Sequence, residues 1–176
     1  MKNLSLFISL LLMINFVSEA QVVNSKDTAA KKQSTEKEMV FPYAIHYSAK
    51  FEPIDPQKGK MILDRWKDFE NNQLDSWKEI FADTVAMWFP TTKMRASRDT
   101  IIARIKSYRN SYKSVKRQVD VVMPTRSADR KADFVLIWGN EKYTDEQNKS
   151  IVVELHEVWA FNKEGKIETI EQYIRR

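Results

Sequence analysis

Helices followed by a run of long strands joined by tight turns predict an α+β fold, with two to three N-terminal helices packed on a curved antiparallel sheet. Three observations carry this. Apolar residues recur at helical spacing at Ile62, Leu63, Trp66 and Phe69, and again at Ile101, Ile105, Tyr108 and Tyr112. Residues 84–89 (TVAMWF) and four later stretches concentrate β-branched and aromatic residues, as strands do. Asn162-Lys163-Glu164-Gly165 reads as a hairpin turn in which the glycine supplies a positive φ.

The chain opens with a different kind of segment. Residues 1–20 carry Lys2, an apolar run over 4–17 and the ending Ser18-Glu19-Ala20, the pattern of a secretory signal peptide cleaved near Ala20. The expected location is therefore exported, periplasmic or secreted. The run falls short of the ~20 residues that cross a bilayer and Asn15 interrupts it, so no stable membrane span is expected. Residues 21–40 are polar and aperiodic, a flexible linker. Residues 41–56 hold three prolines among aromatics and read as an extended arm, with a strand or a short helix as the alternatives. The domain proper is expected over residues 57–176.

Removing the first 20 of 176 residues leaves 156, the size of one ordinary domain. With 43% hydrophobic and 11% aromatic residues there is ample core material. Three glycines leave no room for a Gly-rich phosphate loop, which removes Rossmann and P-loop nucleotide binding. The absence of cysteine removes disulfides, thiolate metal sites and a cysteine nucleophile. Net charge is +5, and Lys93, Arg95, Arg98, Arg104, Lys106, Arg109, Lys113, Lys116 and Arg117 face only Asp99. We read this basic run as the solvated side of a helix and expect no nucleic-acid partner.

Within the domain, Asp55-Pro56 opens the first helix, which ends at Asn71-Asn72. Asp75 caps a short second helix that turns Trp77, Ile80 and Phe81 inward and stops near Asp83. The strand at 84–89 follows, ending at Pro90. Ser97 caps the third helix, with Asp99 in its first turn complementing the dipole. Residues 118–123, 133–143, 150–161 and 166–174 complete the sheet.

Leu63-Asp64-Arg65-Trp66, Asn71-Asn72-Gln73-Leu74-Asp75, Ile80-Phe81-Ala82-Asp83, residues 97–102, and Val158-Trp159-Ala160-Phe161 running on to Ile167 together resemble the SnoaL-like branch of the nuclear transport factor 2-like (NTF2-like) superfamily. The resemblance covers about residues 55–176. It implies a cone-shaped, cystatin-like fold whose concave face holds a pocket closed off by the first helix, and a homodimer formed through the sheet.

The strand at 151–161 sets Ile151, Val153, Leu155, Glu157, Trp159 and Phe161 on one face, so Glu157 is the one ionisable group on an apolar face. If that face lines the cone, the carboxylate is desolvated. Held as the protonated acid, it would donate a hydrogen bond to a carbonyl or enolate oxygen or act as a general acid. Equally, it is satisfied by a Trp N–H, an Arg or a partner subunit and is structural. Ketosteroid isomerases of the superfamily carry an acidic oxyanion-hole residue at the position Glu157 matches. Their helix-one tyrosine matches Trp66, however, and their aspartate base matches Phe89, which cannot move a proton. Glu157 is the single catalytic candidate.

The ligand-binding candidates are Trp66, Trp88, Phe89, Trp138 (with Phe134 and Leu136), Asn140, Trp159 and Tyr173, with Glu141 and Tyr143 continuing the Trp138 strand. Such a lining suits a flat apolar or aromatic molecule, although aromatics at alternating strand positions are commonly plain core. His156 reads as a surface histidine. It begins no zincin motif, because position 160 is Ala, so no metal and no cofactor are expected. Three functions remain open: binding of a small apolar or aromatic molecule, an isomerase, lyase or hydrolase using Glu157, and a protein-interaction module whose cone is filled by its own side chains.

Overall fold

The computed structural model describes residues 40–46 and 49–175. The expected signal peptide, and the expected linker apart from Val40, lie outside the described residues. The chain then runs β1 (Phe51–Pro53), α1 (Gln57–Asn71), α2 (Trp77–Ile80), β2 (Phe81–Phe89), β3 (Thr92–Ser97), α3 (Arg98–Asn110), β4 (Ser114–Ser127), β5 (Ala132–Thr144), β6 (Ser150–Phe161) and β7 (Ile167–Arg175).

The strands form one seven-stranded sheet in the order β1-β4-β5-β6-β7-β2-β3. Five strands were expected, all antiparallel. The structure adds β1 and β3 at the two edges, and β2 runs parallel to β7. β1 lies in the segment read as an arm and pairs Phe51 with Ser127. At three residues, the last of them Pro53, it is too short to show a period. β3 alternates Lys93 and Arg95 with Met94 and Ala96 and pairs with β2, so part of the basic run belongs to a strand. β4 is longer than its apolar centre, because pairing with β5 extends from Ser114↔Thr144 to Ser127↔Ala132 through polar residues. A bulge between Val119 and Val121 leaves Asp120 out of register, which bends the strand.

The helix ends follow local chemistry. Ser97 caps α3, its hydroxyl accepting from the Thr100 N–H at 3.3 Å. α2 is a single turn opened by Ser76 rather than Asp75, whose carboxylate pairs instead with Lys106 on α3. At the end of α1, Asn72 takes a left-handed conformation, and Arg109 of α3 donates to the terminal carbonyls of Phe69 and Glu70, at 2.8 and 2.9 Å. Arg109 is thus a buried cap, not part of a solvated basic face.

Ile62, Trp66 and Phe69 of α1 are buried in one core with Val135 and Ile137 of β5, Leu155 and Trp159 of β6, and Ile170 of β7. Full burial of side chains of this size contributes about 1.5–3 kcal/mol each. Trp66 depends on Gly139: a Cβ there would lie 2.2 Å from the Gln118 carbonyl oxygen and 3.3 Å from the Trp66 ring. The missing side chain is required first by the close approach of the β4 backbone at Gln118, and it also leaves room for the Trp66 ring over β5.

Candidate functional site

On the inner face of the sheet, α1, α2 and α3 leave a cavity of about 810 Å³. Its walls are aromatic: Phe69, Trp77, Phe89, Tyr108, Tyr112 and Trp159. The exposed lining residues Thr91, Arg104, Ser107 and Ser111 mark the side open to solvent. Three polar side chains, Arg117 of β4, Glu157 of β6 and Gln172 of β7, reach the cavity among these rings.

Glu157 is 2% exposed and all its described partners donate to it. Oε2 accepts the indole N–H of Trp66 at 2.7 Å and of Trp159 at 2.8 Å, and Oε1 accepts the Gln172 amide at 2.9 Å. Of the two readings of this residue, the one in which a Trp N–H satisfies it describes these contacts. An acceptor surrounded by N–H groups is placed to hold a position and to take one further donor.

A second buried carboxylate stands one strand away. Glu141, 0% exposed, accepts the Arg117 Nε at 2.7 Å and the Tyr143 hydroxyl. The Arg117 guanidinium lies over the rings of Trp66 and Phe69, 4.7 and 4.4 Å from their centroids. Burial alone would lower its pKa, but Glu141 and then Glu157 outweigh that and raise it, so the cation is secure. The Arg117 backbone N–H donates to Glu70 at 2.6 Å, and Lys67 bridges the other Glu70 oxygen. Burial pushes Glu70 upward, yet those two contacts hold its carboxyl below the usual range. Burial also drives the hydroxyls of Tyr108 and Tyr143 above the ordinary phenol range, with Glu141 adding to the effect on Tyr143. Both remain protonated donors near neutrality.

Of the eight residues singled out from sequence, the structure brings Glu157, Phe89 and Trp159 to the cavity wall. Trp66 is buried behind it, holding Glu157. Trp88, Trp138, Asn140 and Tyr173 do not line the cavity; they belong to the outer face of the sheet. Strand parity decides this: Met87 and Phe89 reach the cavity, so Trp88 between them points away, and Trp138 pairs with His156, which pairs with Tyr173. These three form an outer stack, with Trp138 and His156 4.4 Å apart at 5° and His156 and Tyr173 5.9 Å apart at 26°. Asn140 bonds to Asp120 at 3.3 Å.

Arg117, Gln172 and the role of Glu141 were missed. The signal that singled out Glu157 was present for two of them. Glu141 shares parity with Val135 and Ile137, and Arg117 with Val115, so each is a charge on an apolar face, and the register sets the two opposite one another. Reading Arg117 as part of a basic run concealed this.

Comparison with solved structures follows the same architecture. The chain is similar to an NTF2-like protein of unknown function from Burkholderia pseudomallei, at 16% identity over 67% of this chain and 90% of that one, with a TM-score of 0.55. The fold is NTF2-like. The chain is also similar to a protein described as a SnoaL-like polyketide cyclase from Jannaschia, at 12% identity, 70% and 88% coverage and a TM-score of 0.57. A third similar structure is the epoxide hydrolase/cyclase-like enzyme of pyran ring formation in the polyether salinomycin, at 17% identity, 69% and 93% coverage and a TM-score of 0.54. No protein-family model matches the sequence, and no curated protein does.

Proposed function

We propose that this NTF2-like domain binds a small, largely apolar or aromatic molecule in the cavity on the inner face of its sheet. The observation that carries the reading is the cavity itself. At about 810 Å³ it falls within the ~300–1,000 Å³ of ordinary small-molecule sites, and it combines aromatic walls with a few convergent polar groups. A cone filled by its own side chains, as the interaction-module reading requires, would leave no such space.

An isomerase, lyase or hydrolase of the same fold is the second reading. It is favoured by the buried carboxylate and guanidinium at the cavity and by the similarity to an epoxide hydrolase/cyclase-like enzyme. Acid–base work calls for a second titratable group within reach of Glu157. The described hydrogen-bond partners of Glu157 are Trp66, Trp159 and Gln172, and none of these titrates. Binding therefore stands first.

Export and self-association belong to the same proposal. The apolar run over residues 4–17 supports secretion with Gln21 as the mature terminus. The outer face supports a homodimer through the sheet, since it exposes Val121, Met123 and Tyr173.

The test of binding is calorimetric titration of the protein with 2-naphthol, alongside Ser107→Trp, which narrows the open side. Saturable binding that the variant loses, with its melting temperature unchanged, is expected. No saturable binding, or binding indifferent to Ser107→Trp, contradicts the reading.

A further inference from the structure

We infer that the polar end of the cavity is built for a neutral molecule that carries an acceptor oxygen for Arg117 and a hydroxyl that donates to Glu157, and that it discriminates against carboxylates. This rests on the small-molecule reading above and adds the chemistry of the ligand.

Arg117 has three nitrogens to place. Nε is committed to Glu141, and the two terminal nitrogens have no hydrogen-bond partner among the described residues, although the side chain is only 7% exposed and lines the cavity. The rings of Trp66 and Phe69 fix the plane of the guanidinium, so these donors are already oriented for an oxygen entering the cavity. Glu157 offers the complementary group. Its Oε2 already accepts two N–H bonds, while Oε1 accepts one and keeps a lone pair for a ligand hydroxyl.

Charge sets the ligand class. Arg117 is answered in full by Glu141 at 2.7 Å, and Glu157 adds a second carboxylate that the guanidinium also feels. Two carboxyl groups thus stand against the one guanidinium that lines this end of the cavity, while the neighbouring Arg109 does not line it and gives its donors to the carbonyls of Phe69, Glu70 and Tyr112, so an anionic ligand is disfavoured where a neutral carbonyl, ether or hydroxyl oxygen is accepted. Arg104 does not reverse this, being exposed to solvent on the open side and screened.

Three flat probes of similar size separate the possibilities by calorimetry at pH 7: naphthalene, 7-hydroxy-1-tetralone and 2-naphthoate. The hydroxy-ketone is expected to bind about tenfold or more tighter than naphthalene, as hydrogen bonds to charged groups would provide, and 2-naphthoate no tighter than naphthalene. Arg117→Lys keeps the charge and loses the fork, and Glu157→Gln keeps the shape and loses the charge. Each is expected to remove most of the hydroxy-ketone's advantage over naphthalene. The ranking of probes on the unaltered protein stands without either variant. Equal binding of naphthalene and the hydroxy-ketone would overturn this inference and leave the cavity reading intact. Tightest binding of 2-naphthoate would overturn it in favour of an anionic ligand. Failure of all three probes would overturn the small-molecule reading and this inference together.

Discussion

β6 presents two faces made of alternate residues, and Glu157 on one and His156 on the other are titratable groups in different kinds of setting. On the inner face Glu157 is enclosed by three N–H donors from α1, β6 itself and β7. On the outer face His156 lies between the rings of Trp138 and Tyr173 with its Nε2 buried and without a partner. The inner group is held by hydrogen-bond donors from three elements, whereas the described partners of the outer one are the rings stacked on it from the two neighbouring strands. On the reading proposed above, the polar groups that converge from several elements on the cavity serve binding, and the outer stack serves packing.

The comparison can be broken most sharply at neighbouring positions of β5. Glu141→Leu leaves the buried Arg117 cation without its partner and is expected to cost about 3–5 kcal/mol, whereas the exposed neighbour Lys142→Leu should change stability by less than about 0.5 kcal/mol. Urea unfolding of both variants measures the contrast, and equal costs would mean that the two faces are not differently built. A smaller contrast lies in the tryptophans. Trp66→Phe removes one N–H from the buried Glu157 and is expected to cost about 1–3 kcal/mol, while Trp138→Phe keeps an aromatic ring over His156 and should cost less.

The smallest effect is on the outer face and appears with pH. Burial lowers the pKa of His156, and the Glu157 charge offsets this only in part. The unfolded chain, with its histidine near ~6.5, therefore binds a proton that the folded chain resists. Stability from this group is fully present above that value and is lost as pH falls through the folded pKa. Unfolding midpoints at pH 7.5 and 5.5 should show a drop that is smaller in His156→Phe. A drop of equal size in the variant would place the sensitivity elsewhere.

Much of the fold was legible because its signals are local. Ile62, Trp66 and Phe69 repeat at helical spacing, Ser97 is a cap, and Gly165 sits at φ 75 in the turn between β6 and β7. The edge strands were not legible: β1 is three residues ending in Pro53, and the short alternation of Met94 and Ala96 with Lys93 and Arg95 in β3 is hidden within the basic run. In the site, Glu157 was legible as a charge on an apolar face. Trp138, Asn140 and Tyr173 were assigned to the wrong face because aromatic content says nothing of parity between strands, which the register fixes. Arg117 was hidden by its neighbours Lys113 and Lys116, since a cation in a basic run reads as solvated until a partner strand places Glu141 opposite it.

The five tryptophans divide between the two faces, Trp66, Trp77 and Trp159 buried around the cavity and Trp88 and Trp138 on the outer side, so their indole N–H resonances report both at once. The decisive measurement is a two-dimensional ¹H–¹⁵N NMR titration of the full chain with 2-naphthol. The account predicts saturable shifts of Trp77, Trp159 and Trp66 with Trp88 and Trp138 unmoved. Shifts confined to Trp88 and Trp138 would place binding on the outer face and contradict it.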